Sequence, residues 1–515
     1  MFDLWQMSSS IIIVIVALVL MVFMLVKDLF RPGVILFSVV VLFLATGILT
    51  AEQALAGFSN RGMITVALLF LVSEGIRRSE CLTPIMRRLF PKKGCSIQKG
   101  YSTILTTVAS ISAFLNNTPI VVIFIPHIKA WCRRVGLPIK KFLIPLSYAA
   151  ILGGMCTLIG TSTNLVVHGL MIDAGLSGFS MFELGKVGVI ITVVGLLYII
   201  FFGAKRLPDD NAAGRQNDRK HIVEVVLAAR FPGTGCTMEQ FDFYKHYGAN
   251  IVAIRRDGEE LDSFDDYRYK ENDTLILSTE SNFVDTWGDS RVFLIITNGT
   301  EHSHPSPRWK QVVSLLLLLI MIVGSTVCDT PAVKRLFGDI EPDMLFWAAI
   351  VTTIMALCNI FPAKSYTKFI SWDILITIAS ALAISRAMTL SGVADWIASG
   401  LLSVCSQTSP LVVLAALYIT TNIITELITN NAAAAFAFPI ALSLSSQLGI
   451  SPMPFCVAIC IAASASFCSP IGYQTNMIVQ GLGGYRFSDF IRIGLPLSII
   501  TFIVSMIFIP IFWSF

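Results

Sequence analysis

Amide and hydroxyl side chains interrupt a strongly apolar run of this 515-residue chain. The segment "FLNNTPIVVIFIP" carries Asn116, Asn117 and Thr118 near the middle of an uncharged stretch from Tyr101 to Ile128. Inside a bilayer, an amide without a hydrogen-bond partner costs several kcal/mol. The asparagine pair therefore either joins neighbouring helices or marks a place where the chain is broken to build a polar site.

A second cluster of the same kind lies in the other half of the chain. Aligning Pro126 with Pro439 of "TELITNNAAAAFAFP" places Asn117 on Asn430. Two further strings, "GTSTNLVVHGL" and "GYQTNMIVQGL", align at nearly the same separation in sequence. Two motif pairs in the same order indicate a duplicated chain. The duplicated placement favours a binding site over simple contacts between helices.

The composition is that of a membrane protein with many spans. Hydrophobic residues make up 55% of the chain and charged residues only 14%, whereas soluble domains have about 25% charged residues. Residues 205–309 differ, because charged residues are frequent there and the apolar runs are short and strand-like. We therefore expect membrane halves at 1–204 and 310–515 around a small α+β domain. One helix is expected in "TMEQFDFYKHYG", with a capping box of Thr237 and Gln240 at its start and Gly248 at its end. The net charge of +4 gives no indication of nucleic acid binding.

The distribution of cations predicts the orientation of the spans. Basic loops at 77–99 and 129–141 flank the stretch 101–128, so both of its ends lie in the cytoplasm. A stretch of this length that returns to the same side is a re-entrant hairpin. The second hairpin, at about 410–447, has few basic flanking residues, as an inverted copy would. Lys205 and Arg206 place the soluble domain in the cytoplasm.

Broken helices at these clusters would have a defined chemistry. A helix N-terminus has a partial positive charge that favours an anion. Unwound carbonyl groups with Ser, Thr and Asn oxygens suit a hard cation such as Na⁺. Inverted repeats with broken helices place such a site near the middle of the bilayer. The duplicated motifs therefore predict a site for one anion between two cations.

These motifs resemble those of the divalent anion:sodium symporter (DASS) family within the ion-transporter superfamily. The Ser-Asn-Thr signature of its hairpin tips corresponds to "NNT" at 116–118 and "TNN" at 429–431. Its broken-helix signatures correspond to "GTSTN" and "GYQTN". The longer strings "GGMCTLIGTSTNLVV" and "SPIGYQTNMIVQGLGGYRFSDFIRIGLPL" resemble the permease branch that carries TrkA-C-like domains and includes sulfate transporters. Residues 221–280 resemble one such domain.

The resemblance implies an α-helical polytopic protein of the cell (inner) membrane that works as a homodimeric, elevator-type secondary transporter. It implies Na⁺ as coupling ion, no organic cofactor, a small anionic substrate and a regulatory ligand on the soluble domain. The first sodium site would use Ser112, Asn116, Asn117 and Gly160. The second sodium site would use Thr425, Thr429, Asn430 and Gly472. The anion would contact Asn117, Thr118, Thr161, Asn430, Asn431, Tyr473 and Gln474.

Two departures from the family pattern bear on the substrate. Asn431 stands where the signature has threonine, and Tyr473-Gln474 replaces the Thr-Pro that is common in carboxylate transporters. The bulkier side chains favour a compact tetrahedral oxyanion, and we expect sulfate. The alternatives are a di- or tricarboxylate symporter coupled to Na⁺ or H⁺, and an ion channel gated by the cytoplasmic domain. An enzyme is disfavoured, because no cluster of His, Asp, Glu or Ser suited to catalysis lies in the spans.

One acidic residue lies inside a predicted hairpin. Glu426 follows Thr425 in an apolar run, and an intramembrane carboxylate is a candidate for function. It either takes part in proton coupling or is paired within the bundle, and we favour the structural role.

Overall fold

A computed structural model describes residues 2–515 of the chain except 28, 83, 85–96, 136, 204–205, 208–220, 229, 257–258, 262–266, 280–282, 284–286, 288–289, 291, 299–306, 329–341 and 405–408. Most of the basic loop at 77–99 that oriented the first hairpin therefore lies outside the described residues. The same holds for Lys205 and for much of both junctions of the expected soluble domain.

Helices dominate both halves of the chain, and a β-sheet lies between them. The first half contains α1 (Phe2–Val26), α2 (Pro32–Ala45), α3 (Ala51–Leu55), α4 (Arg61–Ser79), α5 (Ile97–Ser112), α6 (Asn117–Val135), α7 (Leu143–Gly154), α8 (Ser162–Asp173) and α9 (Gly185–Tyr198). The middle contains β1 (His221–Leu227), α10 (Phe243–Tyr247), β2 (Asn250–Arg256), β3 (Glu259–Glu260), β4 (Thr274–Thr279) and β5 (Phe293–Asn298). The second half contains α11 (Arg308–Val327), α12 (Met344–Leu357), α13 (Trp372–Leu390), α14 (Val393–Val404), α15 (Pro410–Leu427), α16 (Asn430–Leu448), α17 (Met453–Ser464), α18 (Gln474–Gly483) and α19 (Phe487–Phe512).

Several helices have the length and composition of membrane spans. Within the described part of the chain, six helical stretches are long and apolar enough to cross a bilayer: α4 with the turns before it, α9 with the turn after it, α11, α13, α15 and α19. Large apolar side chains stay exposed along their outer faces, for example Val193, Leu319 and Ile503. Such an apolar surface is unfavourable in water and favourable in contact with lipid chains.

Both polar clusters interrupt helices, and so do both glycine-containing strings. The hairpin α5–α6 turns between Ser112 and Asn117, and α15–α16 turns between Leu427 and Asn430. The chain also leaves helical geometry between α7 and α8 and between α17 and α18. Each break therefore ends one short helix inside the bundle and begins another.

The helices pack in two groups. In one group α13 packs on α2, and α12 packs on α4 and α11. In the other group α5 packs on α7, α15 on α17, and α9 on α19. Contacts between the groups involve mainly α16 against α13 and α14, and α8 against α4. The four broken or hairpin elements all belong to the second group.

The five strands form one antiparallel sheet in the order β3-β2-β4-β1-β5. Its core is rich in aromatic rings, with Phe231, Tyr247 and Phe293 among the buried residues. The helix that the sequence predicted here is shorter than expected. Thr237 and Gln240 exchange the two hydrogen bonds of a capping box, at 3.1 and 3.3 Å between N and O atoms, but they close a turn before the helix begins.

Helix α10 is capped one turn later than predicted. The Asp242 carboxylate accepts a hydrogen bond from the Lys245 backbone N–H at 3.1 Å, so the helix starts at Phe243. It ends at Gly248, whose φ of +66° is the left-handed conformation expected of a C-terminal glycine. The predicted stop is therefore where the sequence placed it, whereas the predicted N-cap, Thr237, is wrong by five residues.

A buried carboxylate joins strands and loops of the sheet domain. Asp273 is only 2% exposed and accepts two hydrogen bonds from the Arg256 guanidinium, at 2.7 and 2.6 Å, and one from the Tyr267 hydroxyl at 2.6 Å. These hydrogen bonds raise the pKa of the Arg256 guanidinium. Burial raises the pKa of the Tyr267 hydroxyl, with a further contribution from the Asp273 charge.

We expect Asp273→Asn to destabilise the sheet domain by about 3–5 kcal/mol, because it leaves a partly buried guanidinium without its counter-charge. Amide hydrogen exchange across β1, β2 and β4 of the full-length protein measures the effect. Arg61→Gln is the control, because the Arg61–Asp343 pair is exposed, with a separation of 3.6 Å, and such pairs contribute about 0–1 kcal/mol. Equal exchange in both variants would contradict the role of Asp273.

Candidate functional site

Four helix N-termini meet between the two halves of the chain. Helix α6 begins at Asn117 and α16 at Asn430, directly after the hairpin turns. Thr161 is the N-cap of α8, and Tyr473 is the N-cap of α18. The hydrogen bonds described below bring these four ends together. Since each end carries unpaired N–H groups and a partial positive charge, the arrangement favours an anion.

The hydroxyl of Tyr473 connects the two halves. It accepts a hydrogen bond from Asn117 Nδ2 at 2.5 Å and lies 2.9 Å from Thr161 Oγ1. Asn430 of the second hairpin also interacts with it. Asn117 is fully buried and Tyr473 is 9% exposed. Tyr473, which the family resemblance places at the anion, therefore fills the space between the first hairpin and both broken helices.

The remaining predicted anion contacts lie around this centre. Thr118 Oγ1 donates to Gln474 Oε1 at 3.4 Å, and Gln474 is exposed while Thr118 is half-buried. Asn431 Oδ1 accepts hydrogen bonds from Ser162 Oγ at 3.1 Å and Thr163 Oγ1 at 3.3 Å. The seven predicted anion residues thus fall into three hydrogen-bonded groups on neighbouring positions of the chain, and the third group adds Ser162 and Thr163.

The residues expected at the first sodium site lie close together. Ser112 Oγ donates to Asn117 Oδ1 at 2.7 Å. A Cβ on Gly154 would lie 2.5 Å from Asn117 Oδ1, and one on Gly160 would lie 2.5 Å from the Gly154 carbonyl oxygen. These positions must therefore stay without side chains for the two backbone segments and the amide to meet. Asn116 lies half-buried in the preceding turn, and no described residue hydrogen-bonds its side chain.

The second set shows the same close approach and one unpaired oxygen. Thr425 Oγ1 lies 3.2 Å from Asn430 Oδ1. A Cβ on Gly472 would lie 2.6 Å from the Thr425 carbonyl oxygen. The Thr429 hydroxyl is buried and has no hydrogen-bond partner among the described residues. An unpaired oxygen among other hydroxyl, amide and carbonyl oxygens fits a small hard cation.

Two asparagines that the sequence aligned but did not assign hold the broken segments. Asn164 Nδ2 donates to the carbonyl oxygens of Thr157, at 2.9 Å, and Gly154, at 3.4 Å. Asn476 Nδ2 donates to the equivalent carbonyls of Ser469, at 3.1 Å, and Ser466, at 3.0 Å. Both bonds span the same sequence separations in each half. The signal was present, because the asparagine closes both "GTSTN" and "GYQTN".

Glu426 supports the second break. Its carboxylate accepts hydrogen bonds from the backbone N–H groups of Phe467 at 2.9 Å and Cys468 at 2.8 Å, and from Ser466 Oγ at 3.2 Å. The two backbone N–H groups lie in the non-helical segment between α17 and α18, where they have no partner within a helix. The contacts agree with the structural role that the sequence favoured for this residue.

Comparison with known proteins identifies the family. The model of the CitMHS citrate transporter family matches residues 5–346 and 292–515. The chain belongs to this citrate transporter family. An uncharacterized transporter of Synechocystis sp. is 28% identical over 92% of this chain and 93% of its own. Sodium/sulfate cotransporter 2 of Chlamydomonas reinhardtii is 23% identical over 97% and 89%.

One solved structure shares the fold of this protein. The crystal structure of the Alcanivorax borkumensis YdaH transporter covers 90% of this chain with 87% of its own, at 14% identity and a TM-score of 0.53. The solved structure supports the fold, whereas the family match and the similarity to a sodium/sulfate cotransporter make the protein an integral membrane secondary transporter of the DASS type. It is a transporter and not an enzyme, as the sequence predicted.

We expect Asn476→Asp to lower the stability of the protein by about 1–3 kcal/mol. The change keeps the side-chain shape but replaces the N–H donors with oxygens that face the carbonyls of Ser466 and Ser469, which then lose their partners. Thermal unfolding of the purified protein in detergent measures the loss. Asn250→Asp, at an exposed position of β2, is the control, and an equal melting temperature for both variants would contradict the bracing role.

Proposed function

We propose that this protein is a Na⁺-coupled symporter of sulfate or a similarly compact divalent oxyanion. The meeting of four helix N-termini around Tyr473 is the observation that carries the proposal. Four partial positive charges in a buried place compensate much of the charge of a divalent anion without a cationic side chain. Buried hydroxyl and amide groups next to them supply directional hydrogen bonds.

Coupling to Na⁺ is supported by the different surroundings of the oxygen and the nitrogen of the asparagine amides. The Oδ1 atom of Asn117 lies on the side of Ser112 and Gly154, whereas its Nδ2 atom lies on the side of Tyr473. A cation bound to the oxygen would hold the nitrogen in place for the anion. Asn430 stands in the same relation to Thr425 and Tyr473. We therefore assign the two sets of oxygens that the sequence predicted to two Na⁺ ions.

The preference for sulfate over a carboxylate rests on the size of Tyr473. Its ring spans the distance from α18 to Asn117 and Thr161, so it occupies space that an elongated dicarboxylate would need. A relative described as a sodium/sulfate cotransporter supports this choice. The family description, citrate transporter, supports the alternative of a di- or tricarboxylate substrate.

The division into two helix groups supports an elevator mechanism. All helix N-termini of the site belong to the group formed by α5–α9 and α15–α19, so this group would move as the transport unit. The group around α4, α13 and α14 would serve as the fixed scaffold and carry the homodimer contact. We place the protein in the cell membrane with the sheet domain in the cytoplasm, and we assign this domain to the TrkA-C-like type with a regulatory role.

Uptake into proteoliposomes tests the proposal. Radiolabelled sulfate should accumulate only when an inward Na⁺ gradient is present. Asn117→Ala should abolish this uptake and leave expression and dimerisation unchanged, because it removes contacts to both ions. Asn250→Ala, in the exposed part of the sheet domain, serves as control. Uptake of sulfate that is equal with and without Na⁺, or that survives Asn117→Ala, would disprove the assignment.

We expect Tyr473→Thr and Tyr473→Phe to separate the effect of side-chain size on the choice of anion from the effect of the hydroxyl's hydrogen bonds. Tyr473→Thr opens the space between the halves, so succinate should begin to compete with sulfate uptake. Tyr473→Phe keeps the ring and removes the hydroxyl, so sulfate should bind about 2- to 10-fold more weakly, as for the loss of one hydrogen bond, without competition by succinate. Competition that is already complete in the unchanged protein would favour the carboxylate alternative.

A further inference from the structure

The sheet domain is joined to α6 by an ion pair. The Glu224 carboxylate of β1 accepts a hydrogen bond from Lys129 Nζ of α6, and the two side chains are only 22% and 14% exposed. Strand β5, next to β1 in the sheet, also lies against α6. A pair that is shielded from solvent to this extent holds its partners more firmly than a surface pair does.

A second contact joins the same sheet to α18. Asn272 Nδ2 lies 3.5 Å from Met477 Sδ. A Cβ on Gly481 would lie 3.1 Å from Thr274 Oγ1 and 3.7 Å from Val226 Cγ2. Val226 is fully buried and packs with the core of the membrane helices rather than with the core of its own domain. The end of the sheet where β1 ends and β4 begins therefore lies directly against α18.

These two helices are the ones that carry the centre of the candidate site. At their N-terminal ends, Asn117 donates to Tyr473 and Thr118 donates to Gln474. Lys129 lies about 18 Å from Asn117 along α6, and Gly481 lies about 12 Å from Tyr473 along α18, at 1.5 Å per residue. Pro126 lies within this stretch of α6, and helical geometry nevertheless continues from Asn117 to Val135. A shift of the sheet at Lys129 and Gly481 would therefore reach both N-terminal ends.

We propose that the sheet domain positions the anion site, and that Lys129 and Glu224 are positioning residues for transport. The ion pair and the seat at Gly481 hold α6 and α18 in register, so that the Asn117–Tyr473 contact forms between them. The sheet domain would then travel with the transport unit, and a ligand that displaces it would change the affinity of the site. The proposal rests on the site described above but not on the identity of its anion.

Charge reversal with rescue tests this proposal. The variants are Lys129→Glu, Glu224→Lys and the double exchange, which is the variant that carries both substitutions. Lys186→Glu is the control, because it reverses one charge of the more exposed ion pair with Glu183, outside the sheet domain. Amide hydrogen exchange of the purified protein needs no substrate and is read at the first turns of α6 and α18. We expect each single reversal to increase exchange there several-fold, and the double exchange to restore it to within about twofold.

The first turn of α8 is the internal reference, because neither Lys129 nor Gly481 belongs to that helix. If amide hydrogen exchange became faster only in the sheet and in the C-terminal turn of α6, the Lys129–Glu224 pair would have a structural role alone, and the proposal would be overturned. Failure of the double exchange to restore the N-terminal turns would do the same. If a reversal prevents folding, Glu224→Gln makes the same comparison with a smaller increase.

Transport kinetics supply a second readout. We expect the single reversals to raise the KM for the transported anion several-fold with a smaller change in kcat, because they loosen the site rather than remove a ligand. A fall in kcat at constant KM would contradict the proposal. If no sulfate uptake is found in the unchanged protein, the proposed substrate fails, whereas the exchange measurement still decides whether the pair positions the site.

Discussion

The need to satisfy backbone groups at helix breaks inside the bilayer governs the structure. Each break leaves N–H and C=O groups that water cannot reach, and each unsatisfied group costs several kcal/mol. Asn164 and Asn476 donate to carbonyls across the two broken segments, and Glu426 accepts from freed N–H groups. Such braces lower the energetic cost of the breaks that place helix N-termini inside the membrane.

The same constraint separates the polar residues of the membrane region into two classes. Braces such as Glu426 have partners at 2.8–3.2 Å on the backbone or on a neighbouring hydroxyl. The Thr429 hydroxyl is buried without a partner among the described residues, although burial of an unpaired hydroxyl is unfavourable. Other buried polar atoms, such as Ser314 Oγ and Ser380 Oγ, also have no partner among the described residues. The Thr429 hydroxyl differs from them because it adjoins Asn430, at the start of α16, within the second set of oxygens.

Sequence alone located both hairpin tips and both glycine breaks, because an amide or glycine inside an apolar run is a local signal. It missed contacts that depend on the tertiary fold. Tyr473 reaches Asn117 across 356 residues, and Lys129, which served only to orient a loop, pairs with the sheet domain. It also misplaced the start of α10, because the hydrogen bonds of a capping box can close a turn without a helix. Local patterns predict breaks well, and they predict partners poorly.

In the proposed symporter, coupling between cation and anion would follow from the shared use of one side chain. The oxygen and nitrogen of an amide are bonded to the same planar carbon, so the direction of one fixes the direction of the other. Asn117 presents its oxygen to Ser112 and its nitrogen to Tyr473. Occupancy of either side would therefore order the other, which is positive coupling in the thermodynamic sense. Because α6 and α18 meet at this amide, an element that holds them in register would also set the strength of the proposed coupling.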